Sequence, residues 1–211
     1  MPNITYAFGL FLREGKKLIG VCTYGHPFSS QLKKSVVGYE SKMFELNRLV
    51  VNDGLPRNTL SWFVGQTFKQ LPKPMALVSY SDTERNHHGY IYQATNWLYT
   101  GLSTPFMDYV IKGYEDLHNQ SICDSVGRAD RNPNVAGKSR LQLLKDRFGE
   151  DNVMLKECSR KHRYFYFLGD KRQKRAMRKA LTYEIVDEYP KGKNWRYDAS
   201  YKPVTQKFMD L

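Results

Sequence analysis

The hydrophobic pattern along the chain changes period several times, and each change marks an element. Residues 4–12 (ITYAFGLFL) and 17–24 (KLIGVCTY) read as two strands joined by Arg13-Glu14-Gly15-Lys16, a glycine-containing turn. His26-Pro27 ends the second strand, and residues 31–37 allow a short helix. Residues 43–51 (MFELNRLVV) alternate well. Phe44, Leu46, Arg48 and Val50 are expected on one face, with Met43, Glu45, Asn47, Leu49 and Val51 on the other. Polar groups in mid-face are where bulges and sites occur. After the loop Asn52-Asp53-Gly54-Leu55-Pro56-Arg57, the apolar residues Leu60, Phe63, Val64, Phe68 and Leu71 recur at helical spacing, with Asn58 as the expected N-cap and Pro72-Lys73-Pro74 as the stop.

Residues 75–80 (MALVSY) are a near-continuous apolar run, expected of a central strand covered on both faces. A polar loop, residues 81–89, leads to a second predicted helix over 90–99, with Gly101 just past its end. The order β-β-β-α-β-α implies a mixed α/β sheet with one parallel, right-handed crossover. Farther on, 119–137 reads as a long loop and 138–148 as a helix closed by Gly149. Residues 153–156 and 163–168 are expected to pair as a hairpin, and 171–183 to form a basic helix. The tail beyond Pro190 carries Trp195, Tyr197, Tyr201 and Phe208 and is expected to order against a partner. The expected organisation is a core over 1–118 and a basic extension over 119–211 packed on it.

Composition narrows the class. The chain has 211 residues, 41% hydrophobic and 26% charged, ordinary for a folded protein. Nothing approaches the roughly 20 apolar residues of a membrane span. The N-terminus lacks the marks of a secretory signal, and Cys22, Cys123 and Cys158 are too few and too scattered for a disulfide framework, so a reducing cytoplasm is expected. The formal net charge is +12, with 11 Lys+Arg against 7 Asp+Glu in residues 1–110 and 22 against 14 in 111–211. Within 156–179 there are 10 basic and 2 acidic residues interleaved with Tyr164-Phe165-Tyr166-Phe167. Cations beside aromatics suit nucleic acid: charge for phosphates, flat rings for unstacked bases. Arg163, Tyr164, Lys171, Arg172, Lys174, Arg175 and Arg178 are the candidate contacts; a solvated helix beside a buried strand is the plainer alternative.

Three constellations bear chemistry. Arg57, Asn58 and Thr59 stand at a helix N-terminus, where free N–H groups suit an anion, although helix capping also accounts for Asn58. Ser79, Tyr80 and Asp82 end the apolar strand, where ligands of open α/β sheets collect. Ser79 and Asp82 would steer or deprotonate an amine, or merely satisfy a sheet edge and a turn. His87-His88 offer a base or metal ligands, or are solvated. Gly137-Lys138-Ser139 ends like a P-loop, but Asn132 stands where its first glycine belongs, which argues against a nucleoside triphosphatase.

The stretch FELNRLVVNDGLPRN, followed by LVSYSDTERNHHGYIYQATNWLYTGLS, resembles the Mom family of phage DNA-modification proteins, itself similar to the GNAT N-acyltransferases. The resemblance implies a GNAT-like mixed sheet and transfer of a carbamoylmethyl, glycinamide-like group to the exocyclic amine of adenine in duplex DNA. It implies protection against host restriction, in the cytoplasm of the infected cell. Arg57 and Asn58 match an LPRN element at the donor site; the usual Arg/Gln-x-x-Gly-x-Gly/Ala is absent. The implied donor is therefore either acetyl-coenzyme A-like or a glycyl-tRNA. Ser79, Tyr80 and Asp82 match VSYxD and would be catalytic, with Glu45 and Arg48 of ELxRL pointing into the cleft. Tyr92, Asn96 and Tyr99 match the helix beside the donor. The family is associated with iron, toward which His26, Asp82, His87 and His88 would contribute. An extruded adenine would stack on Tyr80, Tyr164 or Trp97 while Asp82 or Glu45 took its proton. A non-enzymatic nucleic-acid-binding protein, or an N-acyltransferase for small molecules or proteins, remains the alternative.

Overall fold

The computed structural model describes residues 3–117, 119–126 and 137–192, and the backbone of 208–210. The chain forms two compact units: Met1–Ser103 with Lys161–Arg196, and Thr104–Arg160 with Tyr197–Leu211. The division expected at residue 118 therefore lies elsewhere, since part of the supposed extension returns to complete the first unit.

The first unit is a six-stranded mixed sheet. Its strands are β1 (Tyr6–Phe11), β2 (Leu18–Gly25), β3 (Met43–Val51), β4 (Met75–Asp82), β5 (Leu98–Leu102) and β8 (Lys161–Leu168), in the order β1-β2-β3-β4-β8-β5. β1, β2 and β3 are antiparallel neighbours, β3 and β4 are parallel, and β8 runs antiparallel to both β4 and β5. Helix α2 (Thr59–Gln70) makes the β3–β4 crossover. It buries Phe63, Val64 and Phe68 against Cys22, Tyr24, Leu77 and Trp97 on one sheet face. Helices α1 (Ser30–Lys33) and α6 (Lys171–Ala180) lie on the other, where Leu32, Val36 and Met177 meet Ala76, Val78, Phe165 and Phe167. β4 and β8 are thus covered on both faces, which is why their sequences are apolar runs without alternation.

The alternation of β3 does not survive. Thr23 pairs with Arg48 but Tyr24 pairs with Leu46, so Asn47 is an extra residue in a β-bulge. Phe44 and Leu46 before it, and Leu49 and Val51 after it, consequently pack on the same face. A bulge adds one residue to a period of two, so the faces exchange there.

Two other expectations fail. The helix predicted over 90–99 stops early: α3 spans Tyr90–Ala94. Asn96 takes φ 59°, Trp97 turns into the core, and the chain re-emerges as β5. Gly101, with φ 76°, sits at the irregularity between the Tyr99 and Leu102 pairings rather than at a helix end. The hairpin expected of 153–156 and 163–168 does not form either. β8 inserts between β4 and β5, where Tyr164 and Phe165 of its aromatic run feed opposite cores.

The second unit contains β6 (Phe106–Ile111), α4 (Asn119–Ser125), α5 (Arg140–Phe148), β7 (Val153–Cys158) and β9 (Phe208–Asp210), the strands ordered β6-β7-β9. Ile111, Ile122, Leu144 and Val153 form its core. α4 occupies part of the loop expected over 119–137; residues 127–136 of that loop, and Trp195, Tyr197 and Tyr201 of the tail, lie outside the described residues. Among the described residues no helix is long and apolar enough to cross a membrane.

Candidate active site

Parallel pairing between β3 and β4 lasts only three residues, Met43 to Glu45 against Ala76 to Val78. Beyond it the strands part and enclose a cleft of about 280 Å³, lined by residues 45–49 of β3, by Ser79, Tyr80 and Asp82 of β4, and by Tyr92 and Lys161. The bulge at Asn47 bends β3 where the ladder ends, so the sequence feature that breaks the alternation also opens the site.

Parting leaves the Leu46 carbonyl without its strand partner. Ser79, 1% exposed, lies opposite: its Oγ is 2.9 Å from Leu46 O and 2.7 Å from the Tyr92 hydroxyl. With one proton, Ser79 donates to one of them at a time, and Tyr92 in turn reaches the Tyr80 carbonyl at 3.4 Å. Ser79 therefore closes the inner end of the cleft as a hydrogen-bond bridge. Burial holds the Tyr92 hydroxyl above its ordinary pKa, and so does burial at Tyr80, aided by the Glu45 charge. Both phenols are neutral donors at physiological pH.

Glu45 is the half-buried carboxylate of the cleft. Burial raises its pKa above 4.5, with the Lys161 ammonium acting in the opposite sense. A carboxylate made more basic by its surroundings suits proton abstraction. Asp82 lines the same cleft, and its carboxylate accepts from the Glu84 backbone at 3.0 Å, capping the turn that follows β4. In the sequence Lys161 is one cation of the basic 156–179 run, with nothing to place it at this cleft. It reaches the cleft because β8 pairs Lys161 with Asp82, a register between residues 79 positions apart that no local pattern announces.

The remaining expected site residues fall elsewhere. Arg57 and Asn58 are exposed before α2, and Asn58, at φ 68°, makes no side-chain cap. The Thr59 hydroxyl donates to Pro56 O at 2.7 Å. Tyr99 is buried, its hydroxyl 2.8 Å from His162 Nδ1. Asn96 is exposed at the turn before β5. Tyr164 and Trp97 are fully buried, so neither is free to stack on a base; Tyr164 donates instead to His88 O at 2.5 Å. Arg163 is also committed internally. Its guanidinium donates to Thr100 Oγ1 at 2.9 Å and Thr100 O at 3.0 Å, and lies 3.5 Å from the Tyr183 ring centroid. Lys171, Arg172, Lys174, Arg175 and Arg178 are exposed on α6.

The metal expectation finds no convergent ligands. Among the described residues no three His, Cys, Asp or Glu side chains come together. His26 faces Met43 O through Nδ1 and stacks on Phe44, with ring centroids 4.3 Å apart. His87 is exposed. His88 lies beside His162, whose pKa is lowered by burial and then by His88.

Comparison with curated proteins returns no match. The model of the Mom protein family, in contrast, matches residues 1–191, which takes in the cleft and the whole described part of the six-stranded sheet. The chain belongs to the Mom protein family.

Proposed function

We propose that the chain is a transferase that places a glycinamide-like group on the exocyclic amine of adenine in DNA, with the β3–β4 cleft as its active site. Membership of the Mom family supports phage DNA adenine modification in general. The observation that carries the finer reading is the cleft itself, which sets a desolvated, basic carboxylate (Glu45) beside neutral phenols and two cations.

The adenine amine is a weak nucleophile because its lone pair is delocalised into the ring. It must also leave the base stack to be reached. In the proposed step the amine lone pair forms a bond to the donor carbon, and the bond from that carbon to its leaving group breaks. The amine proton passes to Glu45. Tyr80, on the same cleft wall, donates to the developing negative charge, and Lys161 and Arg48 face the anionic strand or the leaving group. Asp82 holds the strand end that presents Tyr80 and is the alternative base. The parallel β3-α2-β4 crossover, parting at its end, supports a GNAT-like donor site. Arg57 and Asn58 at α2 would then face the donor; of the two donors considered, glycyl-tRNA carries the nitrogen that a glycinamide-like product requires, whereas an acetyl-coenzyme A would deliver only an acetyl group.

Nucleoside mass spectrometry of plasmid DNA from expressing cells tests the reading. A mass-shifted deoxyadenosine is expected with the natural protein and is lost with Glu45→Gln at unchanged circular dichroism. Unmodified DNA from cells making the natural protein, or full modification by Glu45→Gln, would overturn it.

A further inference from the structure

A second opening lies at the other end of β8. It is a groove of about 450 Å³ between α6, the end of β8 and the start of β5, lined by Asn96, Leu98, Phe165, Tyr166, Phe167, Lys174, Arg175 and Arg178. β8 contributes Lys161 to the cleft and Phe165 to Phe167 to the groove. At about 3.3 Å per residue the two openings are roughly 15 Å apart along the strand.

The composition of this groove is one-sided. One wall is cationic and no lining residue is acidic; of the three lining aromatics, Phe165 and Phe167 are buried in the core and Tyr166 is the one left partly exposed. Lys174 Nζ stands 5.9 Å from the Tyr166 ring centroid, and Phe68 stacks beneath that ring at 4.4 Å, fixing it as a floor. None of the α6 cations forms an ion pair among the described residues; the ion pairs Lys138–Asp146 and Lys145–Glu150 both lie in the second unit. The helix also starts with Lys171 and Arg172, cations placed at the positive end of its dipole. Such an arrangement disfavours the helix on its own and favours an anion beside it.

We infer that this groove binds an unpaired nucleic-acid strand, with phosphates on Arg175, Arg178 and Lys174 and a base against the Tyr166 ring, the aromatic floor of the groove. A cationic wall alone would serve a duplex equally well. A duplex, however, keeps its base faces inside the stack, so the aromatic floor contributes only when bases are exposed. The inference does not depend on the transfer chemistry of the cleft.

Fluorescence anisotropy of the full chain tests it, using a labelled single strand of roughly 12 nucleotides, the matching duplex, and an abasic strand of equal length and charge. Two double variants remove the same charge from the same helix: Arg175→Ala/Arg178→Ala in the groove wall and Arg172→Ala/Lys179→Ala outside it. The single strand is expected to bind more tightly than the abasic strand. The groove double should weaken it about tenfold more than the outer double, a difference typical of specific rather than diffuse contacts. The strand is bound here with no donor present and no turnover required, which separates this result from failure of the active-site reading. Equal weakening by the two doubles would overturn the inference in favour of diffuse electrostatic attraction. So would equal affinity for base-bearing and abasic strands, or preference for the duplex.

Discussion

Ser79 and Glu45 sit within one cleft but do different work. Ser79 bridges a gap that parting strands create, satisfying a buried carbonyl. Ser79→Ala should therefore cost about 1–3 kcal/mol of stability, the range for a buried polar group left unpaired. Modification per folded molecule should persist, measured by denaturant unfolding alongside nucleoside analysis. Glu45 is the reverse case, a group the fold tolerates at a cost. Its folded pKa lies above 4.5, so the folded state binds more protons than the unfolded state just above that pH. Stability attributable to Glu45 is then present below pH 4.5 and is lost as pH rises through the folded value. Glu45→Gln should melt higher than the natural protein at pH 8, with the gain shrinking toward pH 4.5. The carboxylate itself stands out in the sequence as a polar residue in mid-strand. The Lys161 ammonium that opposes its shift does not, because only strand pairing brings it there.

α6 is an element whose local charges work against it and whose ends and core hold it. Asp170 accepts from the Gln173 backbone at 2.7 Å while the Gln173 side chain accepts from the Asp170 backbone at 2.9 Å, a reciprocal cap. Met177, fully buried, is its anchor to the sheet. Like charges at i, i+4, such as Lys171 with Arg175 and Lys174 with Arg178, each cost roughly 0.2–0.5 kcal/mol. Asp170→Ala should destabilise the protein by about 1 kcal/mol, and by less at high salt, where the repulsion is screened. Thermal melts at two ionic strengths check this. Elements of this kind are legible in sequence: α2, α5 and α6 announce themselves by period and composition, and the β3-α2-β4 unit by its change of period. β5 is not legible, and of β8 the strand over 163–168 is legible but its pairing is not. Asn96 ends α3 inside a pattern that still reads as helical. The partner of β8 is fixed by double burial of its aromatic run, a property of the assembled sheet.

On the scale of the whole molecule, the net charge has an address. The first unit contains 22 Lys+Arg and 10 Asp+Glu, the second 11 and 11, so the entire +12 belongs to the unit with the cleft and the groove. The basic half expected from the linear count proves to be the returning β8–α6 segment, and the intervening unit is neutral. With its own core, that unit should melt as a separate transition. Leu144→Ala, at a fully buried position, should lower that transition by about 2–5 kcal/mol and leave the other in place, as calorimetry would show. Circular dichroism alone would blend the two. The return of β8 also orders events during synthesis. β4 leaves the ribosome as MALVSYSD, a largely apolar strand whose second neighbour, β8, begins 79 residues beyond its last residue. Until residues 161–168 emerge, that edge is open to any strand that meets it. Nascent chains halted within the insert should consequently aggregate or recruit chaperones, whereas those released beyond α6 should not.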